Sequence, residues 1–309
     1  MTQTAFLPRR SLGKTGLEVT ALCIGTGPLG NMPKMFTYSV AEERALATIR
    51  AIFTSPINFI DTAAIYGDGE SERWLGMVLR ELGGLPPGFV LASKADRDLQ
   101  TGEFSGEQMR RSVERSLQLL GLNQLQLVYL HDPEYITFEQ AMAPGGPVEV
   151  LLRCREEGLF VHLGVAGGPI DLMTRFVETG LFEVAISHNR YTLLNTEAAP
   201  FWETCIRHGV ATVNAAAYGS GILAKGPAAS PRYMYVDASQ AILMRAAQME
   251  AACQRYGVPL AAAVLQFSLR DSRITSTIVG ITHPERVAQT VALAQHPIPA
   301  ELWTELAAI

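Results

Sequence analysis

Short apolar runs alternate with helix-like segments along the chain, and this alternation constrains the fold more than any other feature of the sequence. We read the apolar runs as eight strands, at 20–26, 57–60, 89–94, 125–130, 160–166, 182–187, 210–216 and 275–279. Apolar residues at helical spacing follow each run. The predicted helices lie at 39–53, 71–79, 105–120, 137–141, 147–157, 171–178, 196–207, 239–256, 260–270 and 284–294. Ser39 and Ser71 are the predicted N-caps of the first two helices.

Strands that alternate with helices predict a parallel sheet covered by helices on its faces. Eight consecutive units without a break in composition favour a closed α/β barrel, the (β/α)8 TIM barrel, over a doubly wound sheet. We therefore expect one domain over residues 1–309. An N-terminal β-hairpin is predicted from Arg10 to Val19, with its turn at 13–16. The segment 224–238 is predicted to be a long loop.

Charge and composition exclude several classes of protein. The formal net charge is −5 and the Lys and Arg residues form no dense cluster, which argues against a nucleic-acid surface. No apolar run is long enough for a membrane span and the N-terminus has no apolar signal core, so we expect a cytoplasmic protein. Cys23, Cys154, Cys205 and Cys253 are widely spaced, which predicts buried free thiols. No Cys or His set has metal-ligand spacing, and we predict no metal.

Polar residues stand where predicted strands end. Asp61, Lys94 and His131 close the second, third and fourth predicted strands, and Tyr66 follows shortly after Asp61. In barrel enzymes the chemistry lies at the carboxyl ends of the strands. We therefore expect these four side chains to converge at one mouth of the barrel.

This set resembles the aldo-keto reductase family, in which an apolar strand precedes Asp-Thr-Ala and Tyr-Gly, and later strands end in Lys and His. The matching stretches here are 61–63 and 66–67, with Lys94 and His131, and the resemblance extends from about residue 10 to about residue 290. It implies hydride transfer between a carbonyl carbon and a nicotinamide, which needs a proton donor or acceptor at the oxygen.

The four residues would then divide the chemistry. Tyr66 would exchange the proton, with a pKa lowered from about 10 by the Lys94 ammonium. Asp61 would keep Lys94 charged, and His131 would hydrogen-bond the substrate oxygen. Taken singly, each residue also fits an ordinary structural role, and only their order and placement favour catalysis. Asp132, which precedes a proline, is interpreted as a turn residue rather than a catalytic one.

The resemblance also implies a nicotinamide cofactor, NAD or NADP, and residues that hold it. These are Gly25, Thr26, Gly27, His188, Asn189, Tyr218, Gly219, Ser220, Gly221, Leu223, Gly280, Thr282, Arg286 and Gln289. An ordinary strand–helix turn at 219–223 and a solvated Arg286 are the alternatives. NADP-preferring members often carry Lys and Ser where Gly280 and Ile281 stand. With Arg286 as the remaining cation, use of NAD is favoured.

Four stretches resemble the sugar dehydrogenase branch of the family, which includes L-fucose, D-threo-aldose and galactose 1-dehydrogenases, and pyridoxal 4-dehydrogenase. They are 10–17, 131–134, 189–194 and 213–216. This branch implies oxidation of a cyclic hemiacetal, of the aldose C1-OH or pyridoxal type, to a lactone. An NADPH-dependent aldehyde or ketone reductase is the first alternative, and a nicotinamide-binding regulatory subunit the second. The implied partner is a small-molecule substrate, with no nucleic acid and no membrane, and the oligomeric state stays open. Segments 27–37 and 224–238 are the predicted substrate loops.

Overall fold

A computed structural model describes residues 7–309 of the chain. An antiparallel hairpin comes first, formed by β1 (Arg9–Ser11) and β2 (Glu18–Thr20). Eight parallel strands follow and close into a barrel, in which each strand pairs with the next barrel strand along the chain and the last pairs with the first. They are β3 (Leu22–Gly25), β4 (Phe59–Asp61), β5 (Val90–Ala95), β6 (Leu125–His131), β7 (Phe160–Gly167), β8 (Val184–His188), β9 (Ala211–Ala215) and β12 (Ser276–Gly280). The predicted TIM barrel with its N-terminal hairpin is confirmed.

Helices connect the strands and cover the outside of the barrel. They are α1 (Pro33–Phe36), α2 (Glu42–Phe53), α3 (Glu70–Leu82), α4 (Gly106–Leu120), α5 (Phe138–Met142), α6 (Pro147–Glu156), α7 (Ile170–Glu178), α8 (Ala199–His208), α9 (Ile222–Lys225), α10 (Gln240–Arg255), α11 (Leu260–Leu269), α12 (Glu285–Gln295) and α13 (Ala300–Ala308). Short 3-10 turns occupy Gly27–Gly30, Pro133–Tyr135 and Gly219–Gly221. No helix among residues 7–309 is both long and apolar enough to cross a membrane.

The hairpin closes the amino-terminal end of the barrel. Leu12 and Val19 from the hairpin pack with Phe59 and Tyr129 from the strands, and all four side chains are fully buried. A Cβ atom on Gly164 would lie 2.4 Å from the ring of Tyr129, so the glycine makes room for the aromatic side chain inside the barrel. Because this end is filled, the open carboxyl ends of the strands remain for a binding site.

Two predicted N-caps are wrong. Helix α3 begins at Glu70, because Gly69 with φ of 89° ends the preceding turn. Ser71 therefore lies inside the helix, where its hydroxyl donates to Thr26 Oγ1 at 2.8 Å. Helix α2 begins after Ala41, and the predicted cap Ser39 instead offers its carbonyl oxygen to the Arg44 guanidinium.

The segment 224–238 is more ordered than the predicted loop. It contains a small antiparallel hairpin of β10 (Arg232–Tyr233) and β11 (Val236–Asp237). Met234 and Tyr235 turn the hairpin with positive φ angles of 53° and 68°. The prediction failed because two-residue strands leave no readable period in a sequence.

The four cysteines are free and buried, as predicted. Each lies in an apolar cluster of the fold, inside the barrel for Cys23 and under the helices for Cys154, Cys205 and Cys253.

Candidate active site

Three strand-end side chains and Tyr66 meet at the carboxyl mouth of the barrel. Asp61 ends β4, Lys94 lies near the end of β5 and His131 ends β6, while Tyr66 lies in the turn before α3. These four residues, called the tetrad below, line one cavity of about 1230 Å³. The predicted convergence is present, and the parallel pairing of β4, β5 and β6 produces it.

Lys94 is the centre of the tetrad. Its Nζ atom donates to Asp61 Oδ1 at 2.5 Å, to the Thr62 carbonyl oxygen at 2.7 Å and to Tyr66 Oη at 3.3 Å. The side chains of Lys94 and Asp61 are only 3% and 2% exposed. Burial by itself lowers the pKa of Lys94, but Asp61 outweighs it and the net direction is upward. Lys94 is therefore held as an ammonium against the phenol oxygen.

Tyr66 differs from expectation in its acidity. Its ring is packed against Gly27, where a Cβ atom would come within 3.3 Å of two ring carbons. Burial raises the pKa of Tyr66, and the opposing effect of the Lys94 ammonium is smaller. The net direction of the pKa is upward, opposite to the lowering predicted from the sequence, because burial outweighs the Lys94 ammonium and the Asp61 carboxylate raises the pKa further.

His131 has a partner that the sequence analysis missed. Its Nδ1 atom lies 2.5 Å from Asp96 Oδ1, and Asp96 is only 1% exposed. The second carboxylate oxygen of Asp96 accepts from the Ile65 amide at 3.0 Å. The sequence spacing could have revealed this partner, because Asp96 stands two positions after Lys94 and an extended chain places such residues on one face.

A cluster of Asp132, Glu134 and His188 lies beside the tetrad. Asp132 Oδ1 is 3.4 Å from His188 Nε2 and 3.6 Å from His131 Nε2. As predicted, Asp132 is a turn residue, with φ of 44° ahead of the 3-10 turn. Its carboxylate also lies on the cavity wall, which the sequence did not reveal. Burial raises the pKa of Asp132, but His131 and His188 outweigh it and hold that pKa well below its usual range.

The ligand atoms of this cluster lie within 4.8 Å of one another and could surround a cation. The histidines already pair with the carboxylate, and the prediction of no metal stays a prediction.

Most of the residues predicted to hold the cofactor line the same cavity. They are Gly25, Gly27, His188, Tyr218, Gly219, Ser220, Gly221, Gly280, Thr282, Arg286 and Gln289. They extend from the tetrad to the start of α12, as an elongated ligand requires.

Three predicted cofactor residues are not on the cavity wall. Thr26 is fully buried and donates through Oγ1 to the Asp61 carbonyl oxygen at 3.1 Å. Asn189 is also buried, and its amide nitrogen lies 3.1 Å from His188 Nδ1. Leu223 packs into an apolar cluster, and its backbone amide donates to the Tyr218 carbonyl oxygen. Each was predicted from its position beside residues that do line the cavity.

A second arginine stands at the far end of the cavity, near Arg286. Arg44 of α2 lies with Nη1 3.3 Å from His283 Nε2, and Nη2 donates to the Ser39 carbonyl oxygen at 2.6 Å. Among the described residues no acceptor bonds the buried Arg44 Nε. Both arginines line the cavity, together with Thr282. Arg44 and Arg286 are therefore both at this end of the cavity, and Arg44 is already bonded to His283 and Ser39.

The two predicted substrate loops touch each other across the cavity mouth. The ring of Phe36 lies 6.2 Å from the ring of Tyr235 in an edge-on arrangement. Arg232 Nη1 donates to the Met35 carbonyl oxygen at 3.2 Å. All four residues line the cavity, so access to the tetrad depends on how these loops are arranged.

Comparisons with known proteins agree on the family to which this chain is similar. A sequence model described as the Aldo/keto reductase family matches residues 21–309. A pyridoxal 4-dehydrogenase from Microbacterium luteolum is 31% identical, and the match covers 96% of each chain. A D-threo-aldose 1-dehydrogenase from a Pseudomonas species is 30% identical over 94% of each chain. An L-galactose dehydrogenase from Arabidopsis thaliana is 30% identical over 92% of this chain and 86% of that protein.

Solved structures agree on the architecture. An aldo-keto reductase from Bacillus halodurans in its holo form aligns with a TM-score of 0.80 and 19% identity, over 98% of this chain and 96% of that one. At this identity the likeness shows the fold alone.

Proposed function

The chain belongs to the aldo/keto reductase family of oxidoreductases, and from that premise we propose that it oxidises a cyclic hemiacetal to a lactone with NAD(P). The observation that carries the proposal is the tetrad itself. Lys94 joins Asp61 to Tyr66 by hydrogen bonds, and both Tyr66 and His131 line the cavity. These contacts allow the oxygen of a substrate to sit beside two proton-exchanging groups.

A bound nicotinamide cofactor would supply the acceptor for the hydride that leaves the substrate carbon. In this direction Tyr66 acts as the phenolate and takes the proton of the substrate hydroxyl; in the reverse direction the phenol returns that proton and becomes the phenolate. Lys94 stabilises the negative charge that develops on the phenol oxygen, since its ammonium is fixed by Asp61 and the Thr62 carbonyl oxygen. His131 holds the substrate oxygen through Nε2.

Polar groups beside the tetrad support a polyhydroxylated or heteroaromatic ring as substrate. Asp132, His188 and Arg97 line the same cavity as His131 and can bond ring hydroxyls. The relatives whose names include pyridoxal, D-threo-aldose and L-galactose are about equally similar to the chain. We therefore propose a sugar lactol or a pyridoxal-like hemiacetal and leave the ring open.

For the cofactor we propose efficient use of NAD. Gly280 and Ile281 offer no phosphate-binding side chain, and Arg44 is already tied to Ser39 and His283. Arg286 supplies the remaining cation at this end of the cavity. An exposed arginine–phosphate contact contributes about 1 kcal/mol or less, which is a preference of less than tenfold.

The test is a screen of NAD and NADP reduction at 340 nm with aldoses and pyridoxal, followed by product analysis for the lactone. Formation of NADH with a lactol supports the proposal. If the protein only reduces open-chain aldehydes with NADPH, the reductase alternative is correct. If the protein binds the cofactor tightly but turns over none of these substrates, the regulatory-subunit alternative is correct.

A further inference from the structure

We propose that Arg97 is a specificity-determining residue that binds an anionic group on the substrate ring. The inference rests on the proposed function and deepens it, because it narrows the hemiacetal to one that carries a negative charge. This charge would be the carboxylate or phosphate ester of a sugar lactol, or the ring oxyanion of a pyridoxal-like hemiacetal. In each case the charged group is separate from the carbon that loses the hydride.

The position of Arg97 in the chain brings its side chain close to the tetrad. Arg97 lies three residues after Lys94, just past the end of β5, and lines the same cavity. Three residues of extended chain span at most about 11 Å. The long arginine side chain can therefore contact a substituent of a small ring whose oxygen is bonded to Tyr66.

An aromatic ring holds the guanidinium of Arg97. Its Cζ atom lies 3.5 Å from the centre of the Tyr135 ring, and Tyr135 ends the 3-10 turn that follows β6. Both side chains line the cavity. Contact with a ring face covers the flat side of a guanidinium and leaves its N–H groups free to donate in the plane. The contact also fixes the guanidinium before a substrate arrives, which lowers the entropy cost of binding.

The N–H groups of Arg97 have no acceptor within the part of the chain that the structure describes, where its one contact of this kind is with Tyr135. The charged groups of the tetrad differ in this respect. Lys94 is paired with Asp61, and His131 lies against a carboxylate of its own.

The chemistry of these free donors favours an anion. A guanidinium carries five N–H donors and keeps its charge at every relevant pH. Carboxylate and phosphate oxygens accept from it in pairs, and such charge-assisted bonds are stronger than bonds to a neutral hydroxyl. Arg97 is half-buried, so water screens its charge only in part. A substrate with an anionic group therefore gains more at this position than a neutral ring does.

A matched control is available elsewhere in the chain. Arg270 also lies over an aromatic ring, with its Cζ atom 4.4 Å from the centre of the Trp303 ring. It is exposed and is not among the described residues that line the cavity. Arg270→Gln therefore removes the same charge and the same kind of ring contact without touching the proposed site.

The first arm of the test measures binding without turnover. The protein saturated with NAD or NADP is titrated calorimetrically with the methyl glycosides of galacturonate, galactose 6-phosphate and galactose, none of which has a free C1 hydroxyl. We expect the two acidic probes to bind at least about tenfold more tightly than the neutral one. Arg97→Gln should abolish this preference and Arg270→Gln should keep it. Added salt should weaken the binding of the acidic probes alone.

The second arm compares kcat and KM for matched pairs of substrates and identifies the source of the anion. The pairs are galacturonate and galactose, galactose 6-phosphate and galactose, and pyridoxal and its 3-deoxy derivative. Arg97→Gln should raise the KM for the anionic member of the preferred pair at least about tenfold. The kcat, the KM for the neutral member and the KM for the cofactor should change little, because glutamine still bonds hydroxyls.

Two further variants separate charge from geometry. Arg97→Lys should keep part of the preference, since the charge remains while the paired donors are lost. Tyr135→Leu should also reduce the preference only in part, because it removes the ring that holds the guanidinium and leaves the charge.

The two proposals fail differently. A wild type that oxidises no lactol refutes the proposed function, and the binding arm still decides the role of Arg97. A wild type that binds the neutral probe as tightly as the acidic ones, or that binds none of them, overturns the role of Arg97. A preference for anions that is the same in the wild type and Arg97→Gln overturns it as well, and lactol oxidation then stands without it.

Discussion

Replacing Asp61 with Asn removes the charge that balances Lys94 in the tetrad. The change is nearly isosteric, but it leaves an ammonium in a site where the lysine side chain is 3% exposed. Breaking a buried pair by removing one partner costs about 3–5 kcal/mol. Lys94 keeps its bond to the Thr62 carbonyl oxygen, so we expect the lower end of this range. Unfolding entropy of about 2.1 cal/mol/K per residue converts about 3 kcal/mol into a fall in Tm of roughly 5 °C for a chain of this length.

The loss of stability should depend on pH with a definite sign. In the wild type the pKa of Lys94 is raised, so its contribution is present below the unfolded pKa of about 10.4 and is lost above it. In Asp61→Asn burial lowers the folded pKa, and the unfolded state binds more protons between that value and about 10.4. The stability of the variant therefore rises with pH in this window. The difference in stability between the wild type and Asp61→Asn should therefore become smaller from pH 7 to pH 10.

The assay is calorimetric or circular-dichroism unfolding at both pH values. Glu81→Gln is the matched control, because it breaks the Arg50–Glu81 pair, whose side chains are 49% and 47% exposed. An exposed pair contributes at most about 1 kcal/mol, so the control should lose only about 1–2 °C. The double variant Asp61→Asn with Lys94→Met should recover much of the loss. Equal shifts for Asp61→Asn and Glu81→Gln, or a gap that does not narrow at pH 10, would refute this reasoning.

Two further results are expected. Tyr66→Phe should lower kcat by at least about a hundredfold while cofactor affinity, measured by fluorescence titration, stays nearly constant; near-normal turnover would remove Tyr66 from the chemistry. Arg286→Ala should weaken NADP more than NAD in initial-rate kinetics, and Arg44→Ala tests the second guanidinium at that end of the cavity. A wild-type preference for NADP of a hundredfold or more would refute the proposed use of NAD and assign Arg44 or His283 to the phosphate.

The barrel and the position of the tetrad could be predicted from the sequence because both depend on local patterns. Apolar runs of strand length and helical spacing recur eight times, and parallel strands bring their carboxyl ends to one mouth. Asp61, Lys94 and His131 stand at those ends, so their convergence follows from the fold class alone. The N-caps Ser39 and Ser71 were wrong because neighbouring Ala41 and Gly69 already set the backbone that begins each helix.

Only the tertiary structure decided the partners of these residues and their charge states. Asp96 and His131 are 35 positions apart, and Arg44 and His283 are 239 apart, so closure of the barrel brings each pair together. The acidity of Tyr66 depends on how completely the site is buried, and its direction is opposite to the one expected from Lys94 alone. A sequence specifies which groups reach the mouth of the barrel. Distances and desolvation, which set the energy of each charge, exist only after the chain has packed.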